Sequence, residues 1–287
     1  MKKSRSIMMA LIIVLAVIIY AVFFHKHTEP FQINPSGDLT VTFIDIGQGD
    51  SELIRQGNSA VLIDTGEYSQ RDKLLKTLNA LGVTSFDYVI ATHPHTDHMG
   101  SMDVIIDTYN VRHVMMPDVT SDTVAFEKLL QSIANKGLRI ETPDPGQSIR
   151  AGNIQLDILA PNASTYQDVN DYSIVARLRW GNTAFLFEGD AEALSEKQIL
   201  DKGFDVSADV LKVGHHGSVT STSDEYLNAV NPAMAVITCA QGNVYGHPHK
   251  EILDKLSAKK IKVYRTDTMG TITMRSDGAN ITVETEK

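Results

Sequence analysis

The distribution of apolar and polar residues divides the chain in two. Residues 7–24, IMMALIIVLAVIIYAVFF, carry no charge, and Lys2, Lys3 and Arg5 precede them. As a helix this run is about 27 Å long, close to the hydrocarbon thickness of a bilayer. It predicts one N-terminal transmembrane helix within a membrane anchor over residues 1–27, with the basic flank in the cytoplasm and the remainder outside. A signal peptide cleaved on export is the rival reading, but Ala21-Val22-Phe23 is a poor small-x-small site. Residues 28–37, with Pro30, Pro35 and Gly37, read as a linker.

From residue 38 to 287 the pattern is that of a folded domain. Leu39 to Ile44 alternates, and Glu52–Arg55 and Ala60–Ile63 follow at hairpin spacing. Leu74, Leu75, Leu78 and Leu81 lie on one face of a predicted helix, with Gly82 just past its end. A short apolar run, Tyr88 to Ala91, predicts a buried strand. Further on come a helix around Val124–Lys136 and strands around Ile154–Leu159, Ser173–Leu178 and Thr183–Phe187. Helix and strand then alternate to Tyr264, and strands at Gly270–Met274 and Ala279–Val283 close the chain. The pattern alone supports one mixed α and β domain.

Composition and charge narrow the partners. A formal charge of −9 argues against a protein that grips nucleic acid mainly through a basic surface. The single cysteine, Cys239, excludes an internal disulfide framework, and its apolar surroundings suit a buried thiol.

The chemistry concentrates directly after the Tyr88–Ala91 strand. Thr92-His93-Pro94-His95-Thr96-Asp97-His98 holds three of the chain's ten histidines. Alternation puts His93 and His95 on one side of the extended backbone, where two imidazoles can grip one ion. Asp97 and His98 fall where the chain turns toward a helix expected near Met99. They can serve the same ion or a second one.

This motif resembles the signature of the metallo-β-lactamase superfamily. A closer likeness is to the hydrolase domain of the ComEC/Rec2 DNA-uptake proteins. It rests on Phe43-Ile44-Asp45-Ile46-Gly47-Gln48-Gly49-Asp50-Ser51, Leu62-Ile63-Asp64-Thr65-Gly66 and Asn170-Asp171-Tyr172-Ser173. Phe187-Glu188-Gly189-Asp190-Ala191-Glu192, Lys212-Val213-Gly214-His215-His216-Gly217-Ser218 and Tyr245-Gly246-His247-Pro248-His249 extend it. The resemblance implies an αββα sandwich, two divalent metal ions and hydrolysis.

Such a pair of cations can hold a water as hydroxide and neutralise charge building on a scissile phosphate. Asp190, at the end of a strand, is the expected bridging carboxylate. The expected ligands are His93, His95, Asp97, His98, Asp190 and His215, with Asp97, His98 and Asp190 central to catalysis. His215 is preferred to His216 because consecutive strand residues face opposite ways. His216 and His247 are then contacts to metal or substrate. Asp64 is expected behind a ligand histidine, holding its free N–H. Asp45 and Asp50 flank Gly47-Gln48-Gly49, where a tight turn explains the glycines equally well. A further histidine usual in the superfamily is missing here, and Asn170 or Asp171 stands at its place. His113, the one histidine between His98 and Asp190, reads as structural. Oxygen in place of nitrogen weakens the preference for zinc and admits manganese.

These expectations describe a membrane-anchored, extracytoplasmic, binuclear hydrolase of phosphodiester bonds, with DNA among the substrates. A hydrolase of a small, cell-wall or lipid phosphodiester is the second enzyme reading, since phosphorylcholine esterases carry a similar domain. A binding partner with a relict metal site is the non-enzyme reading.

Overall fold

The computed structural model describes residues 37–287; the expected anchor and most of the linker lie outside the described residues. Among the described residues no helix is long and apolar enough to cross a membrane. Strands run in chain order as Leu39–Phe43 (β1), Glu52–Gln56 (β2), Ser59–Ile63 (β3), Ser85–Ile90 (β4), Asn110–Met115 (β5) and Ile140–Glu141 (β6). Ser148–Ala151 (β7), Ile154–Ala160 (β8), Val175–Trp180 (β9), Thr183–Phe187 (β10) and Val210–Lys212 (β11) follow. Met234–Ile237 (β12), Lys262–Arg265 (β13), Ile272–Ser276 (β14) and Ile281–Thr285 (β15) complete the described set.

These strands form two mixed sheets, ordered β15-β14-β1-β2-β3-β4-β5-β6 and β13-β12-β11-β10-β9-β8-β7. In each, one half is antiparallel and the other parallel. β3 to β6 are parallel in the first sheet, and β10 to β13 in the second. Parallel strands need crossover connections, and these supply the helices. Leu74, Leu78, Ile105, Phe126 and Leu129 from three helices pack with Leu62, Phe86 and Val89 of the first sheet. Ile199, Tyr226, Leu227, Ile252 and Leu256 do the same over Leu186, Leu211 and Ile237 of the second. The other faces of the sheets meet, with the rings of Phe43 and Phe187 at 6.1 Å between centroids. Helix, two sheets and helix are thus the layers, as expected.

The differences from the sequence reading are local. The helix expected near Met99 begins at Thr96 and is one turn long; a second runs over Met102–Thr108. The closing strands sit two residues later than the alternation suggested. His113 lies on β5, stacked on Tyr88 at 4.6 Å and paired with Glu141 at 2.6 Å.

A candidate metal centre at the parallel strand ends

The C-terminal ends of β3, β4, β10 and β11 all open toward one place. In parallel sheets this edge carries the loops that build sites. β3 delivers Asp64, β4 the His93–His98 segment, β10 Asp190, and β11 the Gly214–Gly217 turn. Two glycines allow the loops to close on each other. Gly49 has φ +121, and a Cβ there would lie 2.0 Å from the Asp97 carbonyl oxygen. Gly189 has φ +54, and its Cβ would meet Thr92 at 2.9 Å. Larger residues would push Asp50 and Asp190 away from the histidines.

Two groups of donor atoms result, and Asp190 belongs to both. His93, His95 and Asp190 form one; Asp50, His98, Asp190 and His216 form the other, with the donor atoms of each within 4.8 Å of one another. In the first, His93 Nε2 is 3.0 Å from His95 Nδ1 and 3.9 Å from Asp190 Oδ2. In the second, Asp190 Oδ1 is 3.2 Å from His98 Nε2 and 3.5 Å from His216 Nε2. Asp97 sits beside this second group, its Oδ2 3.3 Å from His216 Nε2.

Outer partners fix the rings. Asp64 Oδ2 lies 2.8 Å from His98 Nδ1, and the same carboxylate accepts bonds from the Thr92 amide and hydroxyl. His216 Nδ1 donates to the Thr238 carbonyl at 3.0 Å. The opposite nitrogens, His98 Nε2 and His216 Nε2, are buried and face Asp190 Oδ1 at 3.2 and 3.5 Å without making a well-formed hydrogen bond to it or to any other group. Buried polar atoms are ordinarily paired, so three unpaired ones converging on a point call for a ligand. Neutral imidazole nitrogens and a carboxylate oxygen are cation donors. The residues therefore fit two divalent cations.

The electrostatics agree. Burial disfavours charge on His98, but the carboxylates of Asp190, Asp64 and Asp97 outweigh it and raise its pKa well above the usual range. His216, likewise opposed by burial, is pushed up to about 10 by Asp190 and Asp50. The surplus of negative charge that holds protons there is what a metal ion would neutralise. His93 differs: burial and the neighbouring His98 depress it.

The placement of His215 and His216 corrects a premise of the sequence reading. They do not follow strand alternation, because Gly214–Gly217 is a tight turn with His215 at φ 47° and His216 at φ 54°, both left-handed. That turn sends His216 inward. His215 stays partly exposed, with Nε2 3.7 Å from Asp190 Oδ2 and Nδ1 3.2 Å from Glu192. The geometry thus favours His216, not His215, for the inner position. Asp171 enters neither donor group, while Asn170 keeps a buried side-chain oxygen, Oδ1, without a hydrogen-bond partner. Asp171 Oδ1 accepts from the amides of Glu192 and Ser195, and Asn170 Nδ2 donates to Glu192. His247 stands at the rim, its ring 6.2 Å from that of His216. Burial and the neighbouring His216 and His215 hold its pKa down at about 4.

Two residues of the centre escaped the sequence reading. Asp50, read there with the glycine turn, is buried in the second group, and Lys212 Nζ lies 2.8 Å from its Oδ2. The available signal was a lysine inside the apolar strand Val210-Leu211-Lys212-Val213, where a charge needs a buried partner. Over the centre lies a cleft of about 330 Å³, lined also by Gln48, Pro94, Thr96, Ser121, Thr123 and Tyr245.

Two sheets carrying a paired donor site at their parallel ends define the class. The model of the metallo-beta-lactamase superfamily matches residues 44–239, and the chain belongs to that family. Among curated proteins it is similar to ComE operon protein 3 of Bacillus subtilis, 33% identical over 84% of this chain and 33% of the relative. Competence protein ComA of Neisseria gonorrhoeae is 29% identical over 83% of this chain and 32% of the relative. The chain thus spans about a third of the length of these relatives. Among solved structures, the metallo-beta-lactamase fold protein YhfI of Bacillus subtilis matches with a TM-score of 0.56 at 15% identity, covering 86% of this chain and all of that one. CmlA of Streptomyces venezuelae, a diiron beta-hydroxylase, matches with a TM-score of 0.56 at 13% identity over 85% of this chain and 55% of its own. These likenesses show the fold.

Proposed function

We propose that this chain is a binuclear metal-dependent hydrolase of phosphodiester bonds, related in activity to the hydrolase domain of DNA-uptake proteins. The observation that carries the reading is the sharing of Asp190 between two donor groups, with buried unpaired nitrogens aimed at it. A fold that also serves a hydroxylase does not fix a reaction, so the site must. Bound there, two divalent cations, zinc first and manganese as the alternative, supply an activated water and neutralise charge on the scissile group. The chain's own residues do the rest. Asp190 spaces the two groups, Asp64 and Thr238 orient His98 and His216, and Asp97 presents a carboxylate at the cleft floor. Cys239 is buried with its thiol pushed up to about 12 by burial, which unsuits it as a nucleophile.

The second reading, a small or cell-envelope phosphodiester as substrate, is favoured by one observation. Among the described residues no lysine or arginine lines the cleft, so a long polyanion finds no basic track in them. The uncharged run at residues 7–24 supports an anchored protein with the hydrolase domain outside the membrane. The test is hydrolysis by the full chain, loaded with Zn²⁺ or Mn²⁺, of DNA, bis-p-nitrophenyl phosphate, a phosphorylcholine ester and a lactam. Turnover of the diesters, abolished by chelation, supports the proposal. Turnover of the lactam alone, or of nothing with either metal, sinks it.

A further inference from the structure

We propose that the Val244–Tyr245 loop tip is a stacking platform for the planar base of a nucleotide-type phosphodiester. The inference deepens the phosphodiesterase reading and rests on it. Val244 is 93% exposed and Tyr245 62%, and Tyr245 lines the cleft over the metal centre. The loop that bears them is nonetheless tied at its base. Asn243 Nδ2 donates to the carbonyls of Ala240 and His247, at 2.9 and 2.6 Å, and its Oδ1 accepts from the His247 amide at 2.9 Å. Three bonds from one side chain hold the tip outward, so its exposure is built in.

The rings run in file from the metal centre to this tip. His216 and His247 are 6.2 Å apart at 35°, and His247 and Tyr245 are 5.7 Å apart at 24°. His247 and Tyr245 are stacked while His216 is tilted to His247, and Tyr245 ends the file with an exposed ring. A phosphate that cations at the two donor groups would hold, and a base on Tyr245, would then be bridged along the wall formed by His247.

Charge decides what such a platform is for. The chain carries −9, and among the described residues no lysine or arginine lines the cleft. Beyond the ions, affinity for a phosphodiester must come from uncharged contacts. Base–aromatic stacking supplies that and tolerates any sequence, because every base has a π-face. A cleft of about 330 Å³ lies at the small end of small-molecule sites and suits one nucleotide unit.

The test compares two esters with one leaving group, thymidine 5′-(p-nitrophenyl phosphate) and methyl p-nitrophenyl phosphate, on the zinc-loaded full chain. Tyr245→Ala should lower the kcat/KM preference for the thymidine ester about tenfold, through KM, while Tyr245→Phe retains it. An unchanged preference in Tyr245→Ala, or an equal loss in Tyr245→Phe, overturns the platform. If the wild type cleaves neither ester, the phosphodiesterase reading fails separately. Calorimetric titration with thymidine 5′-monophosphate then reads the platform alone. Binding about tenfold weaker in Tyr245→Ala upholds it; equal binding, or none in the wild type, overturns it.

Discussion

His93 and His95 reach Asp190 from one short bent stretch after β4, and His95 is exposed to the cleft. Asp50, His98 and His216 reach the same carboxylate from three separate segments, and all are buried. Their outer contacts differ as well. His93 Nδ1 has the hydroxyls of Thr92 and Ser173 at 3.1 and 3.3 Å. The second group is braced by Asp64, by Lys212 and by Thr238, whose hydroxyl bonds Asp50 and whose carbonyl bonds His216. One group is therefore open and lightly held, the other enclosed and oriented before any ion arrives. Orientation by outer partners is worth about 10–100-fold in metal affinity, so the enclosed group should bind its ion more tightly.

Asp190→Ala breaks the comparison at its shared point. Elemental analysis should fall from about two ions per chain to near none, with hydrolysis lost, since the bridge serves both ions. One full ion remaining in the variant would mean that the enclosed group stands without it.

Lys212→Met tests what preorganises the enclosed group. Lys212 and Asp50 are both 1% exposed, and Glu52 lies beside them. Burial and the Asp50 charge push Glu52 well above the carboxylate range, so Asp50 and Lys212 are the charged pair. Removing one partner of a buried pair costs about 3–5 kcal/mol, because the other charge is left uncompensated. Urea unfolding of the metal-free protein should show that loss. Added Zn²⁺ should shrink it, since the cation faces the same carboxylate. An equal deficit with and without metal would separate Lys212 from the site.

The two adjacent histidines sharpen the comparison next. His216→Ala should weaken the tighter ion about 100-fold or more in competition with a chelator, and His215→Ala about tenfold or less. The reverse order would return the inner role to His215.

What the sequence made legible follows from how far each contact reaches. His93 to His98 is contiguous, so spacing alone displays it, and the strand before it was plain from Tyr88 to Ala91. Asp190 also stands directly after an apolar strand. Asp50 was hidden because its partners are remote; Thr238, which bonds it, lies 188 residues on. Strand alternation does not place His215 and His216, for a conformational reason. Left-handed φ is uncommon away from glycine, and alternation has no means of foreseeing it at two successive residues. The layered fold was accessible because periodicity survives small shifts of strand ends.

The smallest expected effect concerns the open group's missing ligand. Asn170 and Asp171 stood in the sequence where the superfamily places another histidine, which made an oxygen donor to the first ion the natural expectation. In the structure Asp171 has other work: its Oδ1 takes the amides of Glu192 and Ser195, at the start of the helix Ala193–Asp201. Those amides begin a helix and have no partner within it. Asp171→Ala should therefore cost about 0.5–2 kcal/mol in urea unfolding, the range for a lost helix cap. Asp171→Asn, which keeps an acceptor oxygen, should cost less. Neither should change the number of ions bound at saturation. If Asp171→Ala loses an ion while its stability is unchanged, the carboxylate serves the open group and not the helix. The contrast between an open group with few chain ligands and an enclosed group with many would then be smaller than the metal-free geometry indicates.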